Sequence, residues 1–235
     1  MNELAISVEN IGVAYRRKSG VFRQEKFWAL NDVSFDVYHG ETLGIIGRNG
    51  AGKSSLLRVL AGIVKPDKGS LINHGVTASL LSLQVGFVNH LTGRENAILS
   101  GMMLGLTKND VLELMDDIRE YSDIGEFFDQ PVNSYSSGMR ARLGFSVAIY
   151  VNPDVILLDE VLGVGDIEFR EKSGETIRAI IKSDKTVVLV SHNGAVIKRL
   201  CDRVIWVDDM RSKMEGEPEK VVSSYEESIR AKSKA

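Results

Sequence analysis

Cysteine is nearly absent from the 235-residue sequence, which contains only Cys201. One cysteine excludes an intrachain disulfide and is typical of a protein from a reducing cytosol. Apolar runs of the roughly 18 residues needed to span a bilayer are missing, and the N-terminus MNELAISVEN lacks the features of a signal peptide. If the protein works at a membrane, we expect it to act from the cytoplasmic side through a partner.

A surplus of positive charge is also missing, since the formal net charge is -3 and the pI is near 5.9. These values give no reason to expect a nucleic-acid partner. Internal repeats and low-complexity tracts are absent too. The 43% of hydrophobic residues is ordinary for a globular protein and is enough to bury a core, as one large domain or two closely packed lobes.

Four short apolar runs predict buried strands separated by helices: 42–47, 154–159, 186–191 and 203–208. Strands that are apolar on both faces and alternate with helices are typical of a parallel α/β sheet. The first 40 residues differ from these runs. Apolar and polar residues alternate in ISVENIGVAY and WALNDVSFDVY, which predicts antiparallel strands with one solvent-exposed face. The expected fold class is α/β, with a mainly parallel core sheet and an N-terminal antiparallel β-subdomain.

Residues 92–130 predict a helical insertion between two parts of this core. Thr107 or Asn109 is expected to cap its central helix, whose apolar residues fall on one face: Val111, Leu112, Leu114, Met115 and Ile118. We place the whole helical subdomain at about 92–150, within a single domain of residues 1–235. The tail, about 217–235, predicts one exposed helix after Pro218.

Residues 47–54, GRNGAGKS, match the pattern G-x-x-x-x-G-K-[ST] between a predicted strand and a predicted helix. Glycines let backbone N–H groups wrap phosphates, Lys53 reaches the β and γ oxygens, and Ser54 offers its hydroxyl to Mg²⁺. The alternative is a glycine-rich structural turn. We interpret the stretch as a nucleoside-triphosphate site whose binding residues are Gly47, Asn49, Gly50, Ala51, Gly52, Lys53, Ser54 and Ser55.

Asp159 and Glu160 end a predicted core strand at its C-terminal edge, where ligands bind in parallel sheets. Asp159 suits an indirect contact to Mg²⁺, through a water molecule or another ligand of the metal, and Glu160, which strand alternation turns away from Asp159, can act as a base toward an attacking water. The alternative is a solvated Asp-Glu pair. His192 ends the next core strand, where a neutral imidazole can bond the γ-phosphate and hold the water.

A second anion site is indicated at residues 133–143, NSYSSGMRARL, where small polar residues and a glycine precede arginines at helical spacing. Because residues 47–54 already match a phosphate-binding loop, the role of a second anion site has to be explained. The succession GRNGAGKS, SYSSGMRARL, ILLDE, VGD and SH resembles the ATPase subunit of ATP-binding cassette (ABC) transporters, over about residues 4–225.

That resemblance implies a P-loop ABC ATPase fold, ATP and Mg²⁺ as cofactors, and two chains arranged head to tail around two ATP molecules. Ser136, Ser137 and Gly138 would then serve the nucleotide held by the partner copy, as a helix N-terminus aimed at its γ-phosphate. The chain has SSGMR where the common family pattern is SGGQ, so its signature departs from the family.

Further family positions follow from the resemblance. Tyr15 stands where the family stacks an aromatic ring on adenine, with Trp28 or a merely packed core aromatic as the alternatives. Asp166 in GVGD resembles the loop aspartate that touches the opposite subunit. Gln84, or Ser82 by a rival alignment, corresponds to the loop glutamine that contacts nucleotide and Mg²⁺.

The stretches SLLSLQVGFVNHLTGREN and YSSGMRARLGF are similar to ATPases that export lipid-linked polysaccharides such as O-antigen or teichoic acid. An integral-membrane permease, a second copy of the chain and the polysaccharide cargo are the partners that this implies, at the cytoplasmic face of the bacterial inner membrane. Some such ATPases continue into a carbohydrate-binding domain, and the sequence fits both a form without that domain and a truncated one.

Other classes agree less well with the sequence. A P-loop kinase or GTPase would lack the signature, and no N-K-x-D guanine-reading motif is present. A DNA-repair ATPase of the same superfamily would need a long coiled coil ahead of the signature, for which the chain has no room. An ABC ATPase for a different cargo, such as a drug or lipid exporter or an importer, remains the closest alternative.

Residues 16–26, RRKSGVFRQEK, hold five basic side chains against one acid. A solvated loop is the plain interpretation of such a run. The functional interpretation is a contact with anionic lipid or with the pyrophosphate head group of the cargo at the membrane face.

Overall fold

A computed structural model describes residues 3–18, 24–81, 86–159 and 166–232. The chain forms two compact units. The first comprises Met1–Leu80, Asp154–Glu160 and Ile181–Ala235, and the second comprises Leu81–Pro153 and Val161–Ile180. Within the described ranges, no helix is both long and apolar enough to cross a bilayer.

A mixed sheet forms the first unit. Its described strands are β1 (Leu4–Lys18), β2 (Gln24–Tyr38), β3 (Thr42–Ile46), β4 (Lys68–Asn73), β5 (Ala78–Leu80), β6 (Val155–Asp159), β7 (Thr186–Ser191), β8 (Arg203–Asp208) and β9 (Arg211–Gly216). Their order across the sheet is β4-β1-β2-β9-β8-β3-β7-β6-β5.

Strand direction divides this sheet into two parts. β8, β3, β7, β6 and β5 pair in parallel, whereas β1 pairs antiparallel with β2 and β4. Every residue of β3 and β7 is buried, as expected for central parallel strands whose two faces are both covered. The predicted α/β class, with a mainly parallel core and an N-terminal antiparallel part, is confirmed.

The described helices are α1 (Lys53–Leu60), α2 (Gly93–Met103), α3 (Lys108–Glu113), α4 (Met115–Ser122), α5 (Ser137–Tyr150), α6 (Ile167–Ile181), α7 (Gly194–Leu200) and α8 (Pro218–Lys232). Helices α2 to α5 belong to the second unit, whose core centres on the fully buried Phe128. Thr92 and Thr107 each begin a helix with a reciprocal capping box, to Glu95 and Asp110 respectively.

The predicted helical face around residue 112 needs a correction. Val111, Met115 and Ile118 are buried together, but the side chain of Leu112 is 47% exposed. Spacings of four and three residues keep the first three on one face, whereas Leu112 lies about 100° further round, on the line of Asp116 and away from the core. The helix is also broken, since α3 ends at Glu113 and α4 begins at Met115.

The prediction of an exposed tail helix is wrong. Helix α8 begins at Pro218 as expected, but Val221, Val222 and Tyr225 are buried. The Tyr225 ring meets the Trp206 ring of β8 edge to face, with centroids 5.9 Å apart. Apolar residues at spacings of three and four give α8 a packing stripe, which the many charges of the tail obscured in the sequence.

Candidate nucleotide site

The loop between β3 and α1 is shaped by glycines that the surrounding backbone requires. A Cβ on Gly47 would lie 2.2 Å from the carbonyl oxygen of Val207. A Cβ on Gly52 would lie 2.3 Å from the carbonyl oxygen of Ala29, and Gly52 has a φ of 97°, which side-chain-bearing residues rarely adopt. The loop therefore packs its backbone directly against β8 and β2 and turns into the N-terminus of α1, where free N–H groups attract anions.

Lys53, the first residue of α1, braces this loop. Its side chain is buried, and Nζ donates to the carbonyl oxygens of Gly47 at 2.8 Å and Arg48 at 2.9 Å. An ammonium has three donors, so one further donor is left for a phosphate oxygen. Burial lowers the pKa of Lys53, and the negative charge of Asp159 opposes that shift. A phosphate in the loop would add a second anion and offset the cost of burying the charge.

Ser54 and Asp159 bring two elements together at the rim of the loop. The Ser54 hydroxyl, in the first turn of α1, donates to the Asp159 carboxylate at the end of β6, at 2.9 Å. Mg²⁺ prefers oxygen ligands such as hydroxyl and carboxylate oxygens, together with phosphate oxygens, so this pair of side chains fits the metal. No cluster of three or more His, Cys, Asp or Glu that could hold a metal occurs in the described part of the chain.

Aromatic residues line the same cavity as the phosphate loop. This cavity of about 560 Å³ is lined by Tyr15, Phe27, Trp28, Ala29, Asn49, Gly50, Gly52, Lys53, Ser54, Ser55 and Asp159. The Tyr15 hydroxyl donates to Ser55 at 3.2 Å, and the centroids of the Tyr15 and Phe27 rings are 5.8 Å apart, with the rings tilted by 33°. The cavity thus combines anion-binding groups with aromatic rings of the kind that stack on a base.

Tyr15 is better placed for stacking than Trp28, the alternative. The ammonium groups of Lys26 and Lys68 lie over the Trp28 ring, at 4.7 and 4.2 Å from its centroid. A ring that already contacts two cations has less of its surface left for a base.

The second predicted anion site lies at the start of α5, in the second unit. Ser136 is the N-cap, and its hydroxyl accepts from the backbone N–H of Met139 at 3.1 Å. The residue before it, Tyr135, is buried, and its hydroxyl donates to the Phe127 carbonyl at 2.6 Å. This hydrogen bond fixes the chain just ahead of α5. Among the residues that the structure describes, a Cβ on Gly138 would meet only the Ser136 hydroxyl, at 3.7 Å, so their packing does not demand a glycine there.

Comparison with known proteins decides the family. The model of the ABC transporter family matches residues 30–163, which is more than half of the chain. This chain belongs to the ABC transporter family. Membership confirms the predicted family resemblance and the predicted ATPase class.

Individual relatives of this ABC ATPase are also close. The O-antigen export system ATP-binding protein RfbB of Klebsiella pneumoniae is 45% identical over 214 residues, covering 91% of this chain and 87% of that protein. The teichoic acids export ATP-binding protein TagH of Listeria innocua is 42% identical, covering 88% of this chain and 62% of that protein. RfbB of Myxococcus xanthus is 42% identical, covering 86% of this chain and 46% of that protein. The ABC ATPase therefore spans most of the first relative and about half to two thirds of the others.

Solved structures give the same fold. A dimeric ATP-binding cassette in a post-hydrolysis state, bound to ADP and Pi, superposes with a TM-score of 0.71 at 23% identity, covering 91% of this chain and 98% of that one. The ATP-binding subunit of an ABC transporter superposes with a TM-score of 0.73 at 20% identity, covering 94% and 93%. These likenesses confirm the predicted ABC ATPase fold.

Asp166 of the ABC ATPase is engaged within the second unit. Arg142 of α5 donates to both of its carboxylate oxygens, at 2.8 and 2.6 Å, and Asp166 also caps α6 by accepting from the N–H of Phe169 at 3.1 Å. The Arg142 guanidinium lies 5.0 Å from the Phe169 ring centroid. Hydrogen bonds from Arg142 lower the pKa of Asp166. A contact of Asp166 with an opposite subunit remains a prediction.

The other predicted site residues are distributed as follows. Ala51 is buried behind the loop, and His192 is exposed directly after β7 and is not among the residues that line the cavity. Glu160, Gln84 and its rival Ser82 lie outside the described residues.

Two residues that line the site escaped the sequence analysis. Phe27 lies opposite Tyr15 in the β1–β2 pairing, and its ring is half exposed in the cavity. The neighbouring aromatic pair Phe27-Trp28 was a signal, since one of two adjacent strand residues must share the face of Tyr15. Ala29 also lines the cavity, and its carbonyl lies against Gly52, a contact that no side-chain pattern reveals.

Proposed function

We propose that this ABC ATPase hydrolyses ATP to power the export of a lipid-linked cell-surface polysaccharide, of the O-antigen or teichoic acid type. It would act with an integral-membrane permease, as a peripheral subunit at the cytoplasmic face of the bacterial inner membrane. The names of the RfbB and TagH relatives, at 42–45% identity over most of the chain, support this cargo class.

One observation carries the nucleotide part of the proposal. A single cavity is lined both by the aromatic residues Tyr15 and Phe27 and by Lys53, Ser54 and Asp159. A nucleoside triphosphate needs both kinds of contact, because it combines a flat base with an anionic chain of phosphates. We assign the base to the Tyr15 ring and the phosphates to the N-terminus of α1, where Lys53 holds the β and γ oxygens.

The catalytic groups of this proposal are those that the sequence indicates. The Ser54 hydroxyl and the Asp159 carboxylate would hold Mg²⁺, which would neutralise charge on the phosphate oxygens when bound. Glu160, next along the chain from Asp159, takes the proton of the attacking water, and His192 after β7 donates a hydrogen bond from its ring N–H to a γ-phosphate oxygen. Gln84 contributes to the nucleotide and metal contacts.

A second copy of the chain completes each site in this proposal. The N-terminus of α5, with Ser136, Ser137 and Gly138, would face the γ-phosphate held by the other copy, so that two ATP molecules lie between two chains. Two features support it: the open space in front of Gly138, and the dimeric state of the cassette to which the fold is similar.

The test separates the ATPase from its cargo. Deleting the gene in its host should remove the surface polysaccharide, and a wild-type copy should restore it while a Lys53→Ala copy at equal protein level does not. Surface polysaccharide that persists after deletion, beside normal ATP hydrolysis by the purified ABC ATPase, would assign a different cargo. Failure of the purified protein to hydrolyse ATP with its permease would refute the enzymatic proposal itself.

A further inference from the structure

Helix α8 contacts two segments that flank the nucleotide site within the first unit. Its buried side chains Val222 and Tyr225 are three residues apart and therefore share one helix face. Each of them meets a different neighbour, one after β7 and one on β8.

The first contact lies two residues beyond His192. Gly194 begins α7, and a Cβ built on it would lie 2.5 Å from Cγ1 of Val222 and 2.8 Å from a carboxylate oxygen of Glu226. Gly194 does not have the positive φ that would favour glycine, so α8 is what leaves no room for a side chain here. The turn that carries His192 is thus held between the buried end of β7 and the surface of α8.

The second contact leads to the phosphate loop. Tyr225 packs on Trp206, and the next residue of β8, Val207, presents its carbonyl to Gly47, the first residue of the loop. Burial raises the pKa of Tyr225, and the positive charge of Arg48 in the loop opposes that shift, which places Arg48 within electrostatic reach of α8.

We infer that α8 is a positioning element of the ATPase, which sets the His192 turn and the phosphate loop relative to each other through Val222 and Tyr225. The inference rests on the proposed function, since it concerns the rate of ATP hydrolysis. Catalytic groups that act across a few ångströms lose much of their effect when one of them is displaced, so a shift of α8 should lower turnover more than it weakens ATP binding.

A rescue experiment tests this coupling. Gly194→Ala adds one methyl group against Val222 and should reduce kcat on the order of tenfold, with the KM for ATP changed less than about twofold. Val222→Ala in the same chain removes the opposing methyl groups and should restore most of kcat. Val221→Ala is the matched control, because Val221 is an equally buried valine of α8 that does not contact Gly194, and it should not rescue.

Thermal unfolding of each variant separates positioning from folding. A Gly194→Ala protein that melts at a lower temperature but keeps wild-type kcat at saturating ATP would overturn the inference, as would equal rescue by Val221→Ala. If Gly194→Ala does not fold, Val222→Ala alone should still reduce kcat more than Val221→Ala, and equal effects would refute the coupling. A wild-type protein without ATPase activity would instead overturn the proposed function, and the inference with it.

Discussion

Replacing Gly52 with alanine should destabilise the ABC ATPase far more than the same change at Gly50, three residues before Lys53. Both glycines have positive φ values, 97° and 82°, so alanine costs about 1–2 kcal/mol of backbone strain at either position. Within the described part of the chain, only at Gly52 does the new methyl group meet other atoms, at 2.3 Å from the Ala29 carbonyl oxygen and 2.5 Å from the Leu30 side chain. Overpacking of this kind adds about 1–3 kcal/mol.

The expected totals are about 2–5 kcal/mol for Gly52→Ala and about 1–2 kcal/mol for Gly50→Ala, which has no other atom within 4 Å of the new Cβ. For a chain of this length, 1 kcal/mol shifts Tm by about 2–4 °C, so the two melting temperatures should differ by about 2–12 °C. Differential scanning calorimetry of both variants checks this. Equal losses of Tm would refute the reasoning that the loop is held by backbone contact with β2.

The remaining predictions concern the roles of single groups. Glu160→Gln should abolish turnover and leave ATP binding intact, because the base is lost while the phosphate loop remains; near-wild-type hydrolysis with the permease present would refute that role. Tyr15→Ala should weaken ATP binding by about 1–3 kcal/mol, roughly 5- to 150-fold, and Trp28→Ala by less; calorimetric titration that gives the opposite ranking would move the base to Trp28. The expected loop at 16–26 is wrong for Arg16, Arg17 and Lys18, which the structure places at the end of β1. Neutralising these three residues together should leave ATPase activity unchanged and reduce export in cells, and full export at normal protein levels would leave them as solvated charges.

The phosphate loop and the central strands were predictable because their signals are local. The eight consecutive residues GRNGAGKS specify the whole phosphate loop. β3 and β7 are apolar on both faces because helices cover both faces of a central parallel strand. The chemistry of Lys53 and Ser54 therefore follows from the sequence, and the structure adds their partners at Gly47, Arg48 and Asp159.

Features that depend on distant parts of the chain could not be predicted in this way. The position of β8 beside β3 joins residues about 160 apart, and no pattern in either strand specifies its neighbour. The sequence drew attention to Asp166 but gave it no partner within the chain, and only the fold pairs it with Arg142. The tail helix was misjudged for a related reason, since the burial of Val222 depends on a surface formed by α7 and β8.

The central claim is that each ATP lies between two copies of the chain, at the phosphate loop of one and the start of α5 of the other. A covalently linked dimer with Lys53→Ala in one copy and Gly138→Asp in the other tests it, because both defects then fall on one site and the second site stays complete. A Cβ at Gly138 makes only an ordinary contact, with the Ser136 hydroxyl at 3.7 Å, among the described residues, so the first atom of the new side chain causes no clash there. We predict ATPase activity well above that of linked dimers carrying either change in both copies, and approaching half that of the linked wild type. Activity no higher than in those two controls would contradict a site shared head to tail.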